Sequence, residues 1–84
     1  MSDAEVIDPE LTAERLRGLV ASASSIREVI ASGNTSDEAK DTIRRNCDHI
    51  GIACMYEDVI NSNHDLSDFW LAQKEGHQFL SERS

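Results

Sequence analysis

Between Thr35 and Ser62 the chain carries a helical pattern whose first half has one apolar face and whose second half has two. Advancing about 100° per residue from Ile43, the positions Cys47, Ile50 and Cys54 stay within about 40° of it, a narrow seam suited to one neighbouring helix. Opposite that seam the first half has Arg45 and Asp48, whereas the second half has Ile52, Met55, Tyr56 and Val59. One partner helix cannot cover both faces, so a second must sit against the C-terminal half, from this chain or from another protomer. Thr35 to Glu38 reads as a capping box, with Thr35 as the N-cap and Glu38 reaching back to it. Gly51, inside the helix, costs about 1 kcal/mol relative to alanine and is expected where a neighbouring backbone comes close.

The segments on either side supply the partners. Asp8 and Pro9 open a first helix, Asp8 as N-cap and Pro9 at the first helical position, where its missing N–H costs nothing. Leu16, Leu19, Val20, Ala23, Ile26 and Ile30 then share one stripe, opposite Arg17, Ala21 and Glu28. Gly33 is placed to take the left-handed position that ends this helix, and the small residues Ala21 to Ser25 allow close packing. The short link to the next helix predicts an antiparallel hairpin. Asn61 to Asp65 is a polar break, and a third helix follows with Leu66, Phe69, Gln73, Gly76 and Leu80 on one face, flanked by Trp70 and His77 and by Ala72 and Phe79. It is expected to fold back along the second half of the central helix.

The fold expected is therefore all-α: an antiparallel helical hairpin with a shorter third helix, with dimerisation as an open alternative. The helices fall at about 9–32, 36–61 and 66–81, within a single domain over 9–84. Residues 1–8, with three acids and no base, are expected to form a flexible acidic arm.

Charge and chemistry narrow the function classes. Eight basic against sixteen acidic residues give a formal net charge of −8, which disfavours direct binding to nucleic acid or anionic membrane. No apolar run reaches the roughly 18 residues of a membrane span, and the first residues lack a signal-peptide pattern, so a cytoplasmic protein is expected. Cys47 and Cys54 lie seven residues apart on one helix, too far for a disulfide within it, and read as reduced core thiols. His49, His64 and His77 show no metal-ligand spacing. No nucleophile, base and oxyanion set is visible, nor a phosphate loop, so neither an enzyme nor a cofactor is expected.

Three stretches together carry a resemblance: Arg44 to His49, Asp65 to Phe69, and Gly76 to Leu80. They resemble the C-terminal part of small helical proteins encoded by bacteriophages and prophages, which have no generally assigned activity and so transfer no functional residue. A helical body without a visible active site, an acidic balance and a doubled apolar face suit an accessory protein that binds and modulates a host complex. The leading expectation is a non-enzymatic protein-binding module, its partner met by Ile52, Met55, Tyr56, Val59 and Trp70. An acidic mimic of nucleic acid, inhibiting a DNA- or RNA-binding protein, and a structural homodimer are the alternatives.

Overall fold

The computed structural model describes residues 9–83, and the backbone alone at Arg83. The acidic arm at 1–8 and the Asp8 cap lie outside the described residues. Within them the chain forms four helices and no strand: α1 Pro9–Ser32, α2 Asp37–Ala53, α3 Glu57–Ile60 and α4 Ser67–Arg83. The three long helices contact one another as an all-α bundle.

α1 ends where Gly33 adopts φ +73°, a left-handed conformation that glycine takes without steric cost. Its N–H donates to the Ile30 carbonyl. The N-cap of α2 is Ser36, not Thr35. Asn34 Oδ1 accepts from the Ser36 N–H at 3.0 Å, which holds the turn so that the Ser36 hydroxyl, one residue later than the pattern suggests, accepts from Ala39 N–H at 3.1 Å.

The central segment is not one continuous helix to residue 61. At the end of α2 the N–H groups of Met55 and Tyr56 turn back to the Ile52 and Ala53 carbonyls, tightening the last turn. Tyr56 then becomes extended at φ −63°, ψ 136°, and a single turn restarts as α3. In an unbroken helix Val59, seven residues on, would share a face with Ile52. The break separates them, since Val59 is fully buried and Ile52 is 60% exposed. The chain thus resolves a helix with two apolar faces by turning the second part over.

The core is one cluster: Leu19, Ala23 and Ile26 of α1, Ile43, Cys47, Ile50 and Ala53 of α2, then Cys54, Val59, Ala72 and Phe79. Val20, expected on the α1 stripe, is exposed. The buried line runs instead through Thr12, Leu19, Ser22, Ala23 and Ile26, about 100° around the helix from Val20 at Leu19.

α4 also departs from expectation. It lies antiparallel to α2 but against its middle, because Gly76 sits where a Cβ would come within 2.6 Å of Cys47 Sγ, 3.1 Å of Ile43 and 3.3 Å of Ile26. Only a residue without a side chain lets the helix approach that closely. Gln73 fixes the register by donating to the Cys47 carbonyl at 3.0 Å, while the Cys47 thiol donates weakly to the Gln73 carbonyl at 3.6 Å. The neighbour that Gly51 accommodates is the Gln73 amide, not a backbone: a Cβ on Gly51 would stand 3.1 Å from Gln73 Nε2. The C-terminal part of the central segment, α3, packs against α1 instead.

Candidate functional site

Four of the five residues expected to meet a partner reach the surface. Ile52 is 60% exposed, Met55 66%, Tyr56 41% and Trp70 40%, with Ile60 and Leu71 exposed beside them in sequence. Val59 is the exception: its side chain is fully enclosed and it belongs to the core, so it offers a partner nothing. The α2/α4 register brings the rest to one end. With Gln73 level with Cys47 and Gly51, Trp70, one turn earlier in an antiparallel helix, comes level with the stretch that begins at Ile52.

A polar latch shapes this end. Asp58, on α3, accepts hydrogen bonds from the Thr12 hydroxyl at 2.7 Å and from the Arg15 guanidinium, both on α1. The Thr12 hydroxyl first, then Arg15, holds the Asp58 carboxyl below its usual range. Arg15 also stacks over the Tyr56 ring, 3.9 Å from its centroid, which orients the ring and is worth about 0.5–1 kcal/mol at an exposed site. Thr12 is itself buried, so the pairing satisfies a hydroxyl that would otherwise be stranded. The separation of Thr12 from Asp58, 46 residues, leaves no local pattern from which to read it.

Farther along α1, Arg27 ties that helix to α4. Its guanidinium donates twice to Asp68 at 3.0 Å and once to Glu75 at 3.1 Å. These bonds, that to Asp68 above all, push the Arg27 pKa up and hold Asp68 below the usual carboxylate range. Beyond them a shallow groove of about 360 Å³ runs between α1 and α4, with Ile30 and Phe79 in it and Glu75 and Glu82 on its rim. Phe79 is already 94% covered there, so the groove offers a partner less apolar area than the Ile52 end.

Among titratable and nucleophilic groups, one pairing was not legible in the sequence. The buried Ser22 hydroxyl and exposed His49 Nδ1 lie 2.7 Å apart. Gly18, one turn before Ser22, leaves room for the ring, since a Cβ there would be 3.3 Å from His49 Cε1. The small residues at i and i+4 on α1 form a socket for a histidine of α2. A hydrolytic pair would also need an oxyanion donor beside the serine. Ser22 lies in mid-helix, where backbone N–H groups are turned to the preceding carbonyls, so the geometry fits an interhelical hydrogen bond. Burial pushes both thiols, Cys47 and Cys54, above their usual pKa, which keeps them in the weakly nucleophilic form.

No group of three or more His, Cys, Asp or Glu among the described residues is arranged to hold a metal ion. No helix among them is long and apolar enough to cross a membrane. Set against protein-family models, curated proteins and solved structures, the chain has no significant match in any of the three.

Proposed function

We propose that this protein is a non-catalytic protein-binding module that docks a partner through the apolar face of Ile52, Met55, Tyr56 and Trp70. The observation that carries the reading is that Ile52 and Met55 stay 60% and 66% exposed while Ala53 and Cys54 between them are buried. A small chain of this charge has every opportunity to place polar side chains there, and exposed apolar clusters mark contact sites. Trp70 and the Arg15-braced Tyr56 are anchors of the kind that dominate binding energy. Together with the resemblance to phage-encoded helical proteins, this favours a cytoplasmic accessory protein that modulates a host complex. Nucleic-acid mimicry is weakened by Arg15, Arg27 and Arg45, whose ion pairs with Asp58, Asp68, Glu75 and Asp41 break up the acidic surface.

The test is capture from bacterial lysate by tagged wild type and by the Ile52→Ser/Met55→Ser double variant, in parallel. A stoichiometric partner held by the wild type at high salt and lost by the variant supports docking at this face. Equal capture by both removes the face from the site. Loss at high salt with displacement by nucleic acid would favour mimicry instead.

A further inference from the structure

The segment of chain that carries the apolar face has one-sided charge, with Arg15 of α1 the base that reaches Tyr56 from outside it. From Asn46 to Gln73 the chain has no lysine or arginine, yet it has five acids: Asp48, Glu57, Asp58, Asp65 and Asp68. Two of these are compensated from α1, Asp58 by Arg15 and Asp68 by Arg27. Asp48, Glu57 and Asp65 form no ion pair with a described residue. Their placement relates to the face directly. On α2, Asp48 stands one turn before Ile52, at i and i+4, and Met55 follows in the turn just past the end of that helix. Glu57 follows Tyr56 at the start of α3, and Asp65 lies in the turn before α4, whose first turn ends at Trp70. Arg45, three residues before Asp48, is the last basic residue before the acidic stretch.

We infer that the occupant of this face is a basic amphipathic helix, its apolar stripe on Ile52, Met55, Tyr56 and Trp70 and its lysines or arginines opposite Asp48, Glu57 and Asp65. The inference rests on the reading that the face docks a protein, and adds the partner's chemistry. Charge decides against two other occupants. A second copy brings its own net charge of −8, and an anionic membrane surface is repelled for the same reason. Shape decides for a helix: the described residues contain no sheet edge on which an extended strand could pair, whereas apolar side chains on the outer faces of α2 and α4 accept another helix packed alongside.

The probes are three synthetic amphipathic peptides of roughly fourteen residues with one leucine pattern and lysine, glutamine or glutamate at every other position. Their binding is measured by fluorescence anisotropy at about 0.15 M salt, against wild type, Ile52→Ser/Met55→Ser, and Asp48→Asn/Glu57→Gln. The wild type is expected to bind the lysine peptide about tenfold more tightly than the glutamine peptide and the glutamate peptide more weakly still. The serine variant should lose about tenfold for the lysine peptide. The neutralised variant should lose the preference for lysine over glutamine and keep the leucine-dependent part. Equal binding of lysine and glutamine peptides to the wild type, both lost on the serine variant, overturns the basic partner while leaving docking at this face intact. Lysine-peptide binding unchanged on the serine variant shows diffuse charge attraction and overturns the inference. A lack of binding by all three peptides overturns it too, and lysate capture then judges the docking reading separately. A wild type that sediments as a dimer, and a serine variant that sediments as a monomer, would put a second copy on the face.

Discussion

The two ends of this bundle close the same core by different means. Where α1, α2 and α4 run together, Gly76 brings a backbone against Ile26, Ile43 and Cys47, and the large side chains nearby are enclosed. At the end formed by the start of α1, the close of α2 and α3, the third long helix reaches only with its first turns. A one-turn helix is fastened there by Thr12 and Arg15 through Asp58, and Ile52, Met55 and Tyr56 stay outside. Burial depends on how many elements surround a position. The first end uses close packing, whose worth grows with each methylene enclosed. The second uses directional bonds, which hold a short element in place but enclose little. The stable end is therefore the poor binder, and the latched end has surface left to offer a partner.

The sharpest way to break the contrast is at Gly76. A methyl group there would stand 2.6 Å from Cys47 Sγ, so Gly76→Ala should destabilise by about 1–3 kcal/mol through overpacking. In a domain of this size that lowers the melting temperature by about 4–8 °C per kcal/mol. Cys47→Ala removes the atom most in the way, so the same substitution should cost less in that background, a coupling a double-mutant cycle measures. Equal costs in both backgrounds would mean that α4 shifts as a body and that the close approach is not what fixes it.

The latched end responds to acid. Unfolded, an aspartate titrates near about 3.9, and folded Asp58 is held lower by Thr12 and Arg15. As pH falls the unfolded chain takes up the proton first. The stability this contact contributes is therefore complete above the unfolded value and is lost as pH falls through the folded one. Following the Tyr56 ring and Val59 methyl resonances from about pH 6 to 2 should show a transition below the ordinary aspartate range. Asp58→Asn should abolish that transition, leaving those signals displaced already at neutral pH, while Ile43 methyls report no change there. Resonances of Tyr56 that titrate identically in the variant would place the acid sensitivity elsewhere.

A smaller effect is expected at the junction of the two regions. Ser22→Ala leaves His49 Nδ1 without its partner, but the ring is exposed and water can replace the hydroxyl. The loss should be about 0.5–1.5 kcal/mol in thermal unfolding. Gly18→Ala should exceed it if the imidazole is fixed, because the new methyl would lie 3.3 Å from Cε1.

These positions also show which parts of the molecule can be read from the sequence. The all-α class and the seam of Ile43, Cys47, Ile50 and Cys54 follow from spacing along one helix, a local property, and Gly33 ends α1 for a reason contained in that residue alone. The fate of Val59 does not follow. Spacing puts it beside Ile52, and what moves it is the break at Tyr56, held by a bond that Asp58 accepts from a threonine 46 residues earlier. Likewise, the α4 pattern puts Gly76 on the inward face but Ala72 and Phe79, which are buried, only on its flank, and it does not give the level of α2 at which they settle. That depends on which opposing side chains leave room for Gly76. Of the proposed face, Ile52, Met55, Tyr56 and Trp70 were legible as an apolar surplus; that the surplus stays outside is a matter of how far α4 extends.

The least destabilising change is also the one that most cleanly separates the two ends. Ile52→Ser and Met55→Ser together remove two large apolar side chains, which in the core would cost several kcal/mol. Both are mostly in water already, and substitutions at such positions usually fall within about 0.5 kcal/mol of neutral. Serine lowers helix propensity by only a few tenths of a kcal/mol at Ile52, and Met55 lies beyond the last residue of α2. The double variant should thus unfold within about 2–4 °C of the wild type. A drop as large as that of Gly76→Ala would mean that these side chains are covered in solution, by a second copy or by residues outside 9–83. In that case both ends would be closed by packing, and the apolar face would belong to the core.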